Sequence, residues 1–548
     1  MIRKNIYRWH RWSSLIIALP VVLWAASGFM HPVMTTIRPR VATQFLAATP
    51  LDTGSIKLPL QEALHKNSIS SFHNFRLVHI DTNWFYQVQK TANEPPLYLS
   101  VINGKKLANG DALYAQYLAK LFLEGPAAPE PAGTQYASIN HEDMMMPDKA
   151  AGATAEHDCC DAATACVLGN ETGSPVAGIA LLRSFDAEYK FINRLLPVYK
   201  VKFDRPDGIR VYVETTQDRF AFAMDNKRAV FDKIFGLFHT WEWMNFLGNT
   251  KYYLMALLNL LALATTLMGL YIFFVSKTKK ANGKEIVKAR NRHRWTSLSI
   301  SVFTLMFTFS GAYHSLAKLK TDTRADFFTS NQFAADVAHP DMAQLQSLAG
   351  NKPISNISLV KIDGEIFFQV FTINQQQHNK MAAAGKDLMK NMSAPPPSTL
   401  YVNTRSYAVL SNGEELYARS LAGLFSKHPG AAIKQTSLIT KFAGEYGFVN
   451  KRLPVWKIGY ASNHQERFYI ETSTGKLAAQ VTNLDLAEGY SFSLLHKHEF
   501  MAWAGKPVKD FSTMFWATAQ IAMVLVGFIL YFKMRARKNK QVVSDRQT

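Results

Sequence analysis

The sequence predicts a membrane α-helical protein: four transmembrane helices in two tandem, parallel repeats, each repeat carrying an α+β domain outside the membrane. Three observations predict it. Four charge-free runs, at 12–37, 252–276, 295–317 and 511–532, each reach the roughly 20 residues a helix needs to span a bilayer. The basic residues gather at the borders of those runs. The two halves of the chain also repeat each other from end to end.

The chain has 548 residues and a net charge of +20. Three short segments, 1–11, 277–294 and 533–548, hold 18 Lys and Arg against two acids, Glu285 and Asp545. Such an excess beside membrane helices marks the cytoplasmic side. Both termini and the middle loop are therefore expected in the cytoplasm. The long segments 38–250 and 318–510 are expected outside, in the periplasm of a bacterial inner-membrane protein. The charge is accounted for at the membrane rim, so no nucleic-acid partner is implied. The first run is read as an uncleaved helix, because its counterpart at 295–317 is internal and cannot be a leader.

The repeat is read directly. WHRWSSLIIALPVVLWAASGFMH at 9–31 meets RHRWTSLSISVFTLMFTFSGAYH at 292–314 without a gap. LVHID at 77–81 meets LVKID at 359–363, and NGDALYAQYLAKLF at 109–122 meets NGEELYARSLAGLF at 412–425. FINRLLPVYKV at 191–201 meets FVNKRLPVWKI at 448–458; YVETT at 212–216 meets YIETS at 469–473. FGLFHTWEWM at 235–244 meets FSLLHKHEFM at 492–501. The resulting order is a cytoplasmic start and first helix (1–37), an outer domain (38–250), a second helix (251–276), a basic loop (277–294), a third helix (295–317), a second outer domain (318–510), a fourth helix (511–532) and a basic tail (533–548). In the outer domains, LYLSVINGKKL and RFYIETSTGKLAAQV read as hairpins about NG and STG. The LYAQYLAKLF and LYARSLAGLF stretches read as helices. Segments 125–175 and 375–397 break the repeat and are expected to be loops. Pro20 faces Phe303 in the repeat, so the first helix alone is expected to kink.

Sixteen histidines are present, and three pairs coincide between the halves: His10 with His293, His31 with His314, and His239 with His496. All six fall at ends of the membrane helices. His10 and His31 are 21 residues apart, roughly 31 Å along a helix and one bilayer thickness. Ionisable side chains at membrane depth point to function. Paired neutral imidazoles on facing helices suit the axial positions of haem iron. Zinc is the alternative, but it usually draws thiolates or carboxylates into its set, and the matched positions offer few. A purely interfacial role for the histidines is the remaining reading. Arg11 and Arg294 follow the inner histidines and stand where haem propionates would be met, and Trp9, Trp12 and Trp295 stand where a haem edge would pack. Arg and Trp are also ordinary residues of a membrane border.

The first inserted segment holds Cys159, Cys160 and Cys166 together with His141, His157 and Met144–Met146. Thiolates and thioethers favour Cu(I), so Cys159, Cys160, Cys166, His157 and Met145 form a candidate metal site. A disulfide with one spare thiol is the alternative.

Taken together, HRW-S/T-SL with SG-x-x-H, NR-x-LPVY/W-K, YVET/YIETSTGKL and the FHTWEWM and LHKHEFM segments resemble the PepSY-associated transmembrane family of bacterial inner-membrane proteins. The resemblance covers nearly the whole chain. It implies four membrane helices, PepSY-type periplasmic domains and haem b, one to three per chain, with the six matched histidines as ligands. It also implies kinship with ferric-siderophore reductases, which reduce Fe(III) to Fe(II) to release iron. The sequence carries no G-x-G-x-x-G site after a strand, no P-loop and no HExxH. Electrons would then come from a cytoplasmic reductase or membrane quinol and go to a ferric siderophore or another Fe(III) complex. The span between histidine levels is long for one electron hop, so either the haems reach toward each other or a relay such as Trp24 or an aromatic cluster is expected. Two other functions fit the sequence: a haem-free scaffold whose outer domains bind peptides or partners, and a reductase of copper or another periplasmic acceptor.

Overall fold

The computed structural model describes residues 2–92, 94–125, 173–277, 285–319, 329–374, 394, 396–426, 431–462 and 465–544. The candidate metal site of Cys159, Cys160, Cys166, His157 and Met145 lies outside the described residues, as does most of the second inserted segment.

Four helices are long and apolar enough to cross a membrane: α1 (Ile2–Thr36), α5 (Thr250–Val275), α6 (Glu285–Ala317) and α10 (Lys506–Ser544). Three begin or end well beyond the charge-free runs, α1 by starting at Ile2, ten residues before Trp12. α6 starts at Glu285, ten residues before Trp295, and α10 continues twelve residues past Phe532. Long basic side chains carry a helix into water at no solvation cost, so charge marks where the bilayer ends and not where the helix ends. Lys533 on α10 pairs with Glu285 at the start of α6, at 2.9 Å. α1 runs unbroken through Pro20 and Pro32. In the bundle, α1 and α6 each lie against both α5 and α10. The two histidine-bearing helices therefore face each other across the middle.

Outside the bundle, from the strands Asn74–Ile80 and Ile354–Ile362 onward, the order of elements in the first half recurs in the second. The first half has α2 (Leu60–Lys66), β1 (Ser71–Phe72), β2 (Asn74–Ile80), β3 (Asn83–Gln89), β4 (Leu97–Ser100), α3 (Gly110–Glu124), β5 (Val176–Leu182), β6 (Val198–Phe203), β7 (Arg210–Glu214), β8 (Arg219–Met224) and α4 (Asn226–Phe238). The second has β9 (Phe333–Ala334), α7 (Met342–Ala349), β10 (Ile354–Ile362), β11 (Glu365–Thr372), β12 (Thr399–Asn403), α8 (Gly413–Phe425), β13 (Ile433–Ile439), β14 (Val455–Tyr460), β15 (Arg467–Glu471), β16 (Lys476–Val481) and α9 (Asn483–Ser491). Each half builds one three-stranded and one four-stranded antiparallel meander. The turn between β15 and β16 is the expected STG hairpin. Its counterpart between β7 and β8 puts Asp218 at φ 52° where Gly475 has φ 63°. Asp tolerates that left-handed position through its short polar side chain, so one turn geometry accommodates both sequences.

The outer domains share one core, and each also keeps apolar clusters of its own. One apolar cluster takes Phe75, Leu77, Tyr86 and Val88 from the first half and Ile357, Leu359, Phe368 and Val370 from the second. Polar groups lock the same seam. Asn356 accepts from Leu77 N–H and donates to Leu77 C=O, both at 2.8 Å, and β1 pairs with β9. Helices α3 and α8 bridge the three- and four-stranded sheets of their own halves, burying Tyr114, Leu118 and Phe122 and the matched Tyr417, Leu421 and Phe425. The four-stranded sheets meet over a buried ion cluster. Arg452 reaches Glu471 at 2.6 Å and Glu214 at 3.4 Å, Arg219 pairs with Glu471, and Lys476 stands 3.6 Å from Glu214. The cations hold Glu471 down at about 2 against the upward push of its burial.

Candidate functional site

The short segments before α5 and α10 bring histidines to the bundle. Asp225 caps α4 by accepting from Arg228 N–H at 2.6 Å, and Thr482 with Asp485 forms a capping box on α9. Downstream the two segments diverge. His239 sits at the C-terminal cap of α4, whereas His496 closes a π-helical turn, Phe492–His496. π turns concentrate at functional positions because they re-aim a side chain within a helix.

At the inner level, His10 on α1 faces His293 on α6 with ring centroids 6.5 Å apart. His10 Nδ1–H donates to the Thr265 carbonyl of α5 at 3.1 Å. A carbonyl can only accept, so this bond fixes the tautomer and leaves Nε2 with a bare lone pair. His293 Nδ1 is buried with no hydrogen-bond partner among the described residues. Glycines line this level on the neighbouring helices. A Cβ on Gly269 would come 3.2 Å from His10 Cε1, and one on Gly527 would come 3.6 Å from His293 Cε1.

At the outer level, His239 and His496 have centroids 6.0 Å apart. Their Nδ1 atoms rest on matched serines: His239 on Ser27 Oγ at 3.0 Å, and His496 on Ser310 Oγ at 3.1 Å. Each serine hydroxyl already donates to a carbonyl of its own helix, Leu23 at 2.6 Å and Phe307 at 3.2 Å. The imidazole Nδ1–H is then the donor, and His239 also meets the Trp24 backbone. His31 and His314 do not join this pair directly. Phe235 lies between His31 and His239, at 5.7 and 4.6 Å, and Phe492 lies between His314 and His496, at 4.3 and 4.9 Å. Six rings thus run in one row across the bundle. The flanking histidines differ: His31 is exposed, whereas His314 Nδ1 meets Glu488 Oε1 at 2.5 Å.

Imidazoles arranged in pairs fit haem iron better than a tetrahedral ion. Two nitrogens at about 2 Å from one metal place their ring centroids roughly 6 Å apart, as found at both levels. Among the described residues, no three His, Cys, Asp or Glu side chains gather as a metal cluster.

The arginines and tryptophans beside the inner histidines are hydrogen-bonded at a helix end or exposed. Arg294 is engaged at the C-terminal end of α5, donating to Ser276 Oγ at 2.9 Å, Ser276 C=O at 2.9 Å and Phe273 C=O at 3.0 Å. Arg11 is exposed. Trp9, Trp12 and Trp295 are more than half exposed on the outside of the bundle, as border residues are. Trp24 stacks on Trp241 at 5.1 Å. The matched site in the second half holds Phe307 and His498, 5.2 Å apart.

Several side chains at the site went unread in the sequence. Ser27 and Ser310 carried a signal, being matched residues of the SG-x-x-H segments. Phe235 and Phe492 carried one too, each four residues before a matched histidine. Glu488 faces Phe231 in the repeat, and His498 faces Trp241, so symmetry gave no sign of either. His498 is fully buried against Phe303 and Phe307 and meets Ser512 Oγ at 3.1 Å.

No curated relative matches the chain. A family model, the PepSY-associated TM region, matches residues 7–442. That match spans three of the four membrane helices and five of the six matched histidines, and the chain belongs to the PepSY-associated TM region family.

Proposed function

We propose that this protein is a bacterial inner-membrane electron-transfer protein that binds haem b at two sites and reduces an Fe(III) complex, such as a ferric siderophore, in the periplasm. The observation that carries the reading is the pair of cross-bundle imidazole couples, His10 with His293 and His239 with His496, at 6.5 and 6.0 Å. Both couples join the first half of the chain to the second, across a pseudo-twofold axis along the membrane normal. In three of the four imidazoles the Nδ1 proton is committed to a neighbour, as the second ring nitrogen of a metal-bound histidine usually is. Haem b bound there would supply a reversible one-electron iron couple.

The protein's own part is to hold, orient and insulate. The Thr265 carbonyl and the Ser27 and Ser310 hydroxyls set the tautomers and ring orientations. Gly269 and Gly527 keep side chains away from the inner couple. Between the levels, Trp24 with Trp241, and Phe307, His498, Phe303 and Trp516, fill the bundle with stacked rings. These exclude water and shorten the distance between conjugated groups. The basic segments support a cytoplasmic side next to the inner couple, where a reductase or quinol would deliver electrons, with the outer domains in the periplasm.

The test is pyridine haemochrome quantification and a reduced-minus-oxidised spectrum on detergent-purified full-length protein. Two haems per chain are expected, falling to about one in His10→Ala and in His496→Ala. Reoxidation of the reduced protein by Fe(III) chelates then tests the acceptor class. Protein that takes up no haem under ample supply overturns the proposal.

A further inference from the structure

Three residues after each outer histidine, His239 and His496, a short 3₁₀ turn begins and leads into a membrane helix: Glu242–Leu247 before α5, and Glu499–Ala504 before α10. The two turns are matched in the repeat, and each is closed by a glycine at positive φ, Gly248 at 54° and Gly505 at 87°. A 3₁₀ helix has three residues per turn, so side chains at i and i+3 eclipse on one face. In the first turn, Glu242 and Asn245 bond to the protein: Glu242 accepts from Lys190 at 2.7 Å, and Asn245 Oδ1 accepts from Lys251 of α5 at 2.8 Å. Met244 is buried. The remaining face carries Trp243 and Phe246, which are 57% and 79% exposed. In the second turn, Glu499 accepts from Lys509 of α10 at 2.7 Å. Its corresponding face carries Phe500 and Trp503, 43% and 85% exposed. Each half thus turns one Trp and one Phe outward from matched positions, with the order of the two exchanged.

The surroundings of these rings say what covers them. Outward-facing apolar side chains follow on the spanning helices, Tyr253 and Leu257 on α5 and Phe511 and Phe515 on α10, all of them exposed. Near the inner end of α5, Phe273 rests against the border residue Trp295 at 5.5 Å. One hydrocarbon thickness from there, roughly 20 residues of helix, reaches Tyr253. The turn that ends at Leu247 therefore stands at the headgroup level of the outer leaflet, where amphipathic aromatic rings gather. α5 and α10 lie on opposite sides of the bundle, each between α1 and α6. A bilayer that surrounds the bundle covers both aromatic pairs at once, whereas one partner protein would reach a single side.

We propose that the two turns are lipid anchors: Trp243 with Phe246, and Phe500 with Trp503, sit in the headgroup–acyl boundary of the outer leaflet and fix the depth of the segments that carry His239 and His496. Both segments are held firmly between histidine and anchor. Trp241 stacks on Trp24 of α1 at 5.1 Å, and His498 is buried against Phe307 of α6 and meets Ser512 of α10. The depth set by the rings is thereby passed to the histidine upstream. The inference rests on the membrane-spanning helices and not on haem.

The experiment is fluorine NMR of the full-length protein, labelled with fluorotryptophan and reconstituted in nanodiscs of phosphatidylethanolamine and phosphatidylglycerol. Trp243→Phe, Trp503→Phe, Trp12→Phe and Trp295→Phe each identify one resonance. A phospholipid carrying a nitroxide at the top of its acyl chain is expected to remove most of the intensity of Trp243 and Trp503, and an aqueous gadolinium chelate to leave most of it. Trp12 and Trp295, at the inner border, serve as the reference for lipid contact. Loss of the Trp243 and Trp503 signals to the chelate and not to the lipid, with Trp12 and Trp295 still reached by the lipid, overturns the proposal and leaves the membrane helices standing. Protection of Trp243 and Trp503 from both agents assigns them to a protein interface and also overturns it. Failure of the lipid to reach any of the four overturns the spanning reading and the anchors together.

Discussion

Ser27 and Ser310 each put a hydroxyl under the Nδ1 of a histidine that arrives from a distant segment of the chain. Outer hydrogen bonds of this kind orient a ligand, and their loss typically costs 10–100-fold in metal affinity. Ser27→Ala and Ser310→Ala are therefore expected to release the outer haem about tenfold faster to apomyoglobin, with the inner haem unaffected. Lys451 gives a second prediction at this scale. Its ammonium donates to Ala221 C=O and to Asn193 at 3.3 Å, yet burial lowers it to about 8. The unfolded chain then binds more protons than the folded one between about pH 8 and the ordinary lysine value of 10.5, so stability rises with pH across that window. Below about pH 8 the penalty is fully present. Lys451→Met should raise the thermal midpoint at about pH 7.5, with the gain shrinking toward about pH 10, as read by circular dichroism. The matched residue in the first half is Arg194, and sequence alone gives no reason for one of the pair to bury its charge.

At the scale of elements, the histidine-bearing helices follow from pattern, whereas their spacing follows from what lies between them. α1 and α6 do not pack side by side; α5 and α10 hold them apart at the distance the imidazole couples need. Gly269 marks how tight that setting is. Gly269→Ala forces its Cβ to 3.2 Å from His10, against 3.6 Å for Gly527→Ala and His293. The first contact is tighter than ordinary van der Waals packing and the second is not. Gly269→Ala should therefore disturb the inner haem, seen as a shift in its reduction potential, while Gly527→Ala leaves the potential within a few millivolts. The π turn at Phe492–His496 belongs to the same scale. FGLFH and FSLLH are alike in sequence, and the difference in their helical winding arises where the segment meets α6 in place of α1.

For the whole molecule, the shared apolar core under the three-stranded sheets makes the outer region one folding unit. A fragment covering 38–250 would expose Phe75, Leu77, Tyr86 and Val88, which are at most 4% exposed in the whole chain. It is expected to bind a hydrophobic dye strongly and to be digested at protease levels that leave the full chain intact. Within the full chain, Asn356→Ala removes the reciprocal bonds to Leu77 and leaves a buried N–H and C=O unpaired, at a cost of about 1–3 kcal/mol in chemical denaturation. The sequence divided this region into two domains because the duplication is sequential. A repeat records how the chain is ordered, and it carries no record of which surfaces its copies bury against each other.

The four membrane helices, the recurrence of one unit along the chain and the six histidines at the membrane borders were legible in the amino-acid order. Each rests on a local property: a run without charge, an alignment of the chain to itself, a residue kept at matched positions. Folding in three dimensions was needed to bring His239 to His496 and to stand phenylalanines before His31 and His314. It also set Glu488 on His314 and engaged Arg294 at a helix end. Those outcomes depend on contacts between residues far apart in the chain, and such contacts are fixed by packing and not by local pattern.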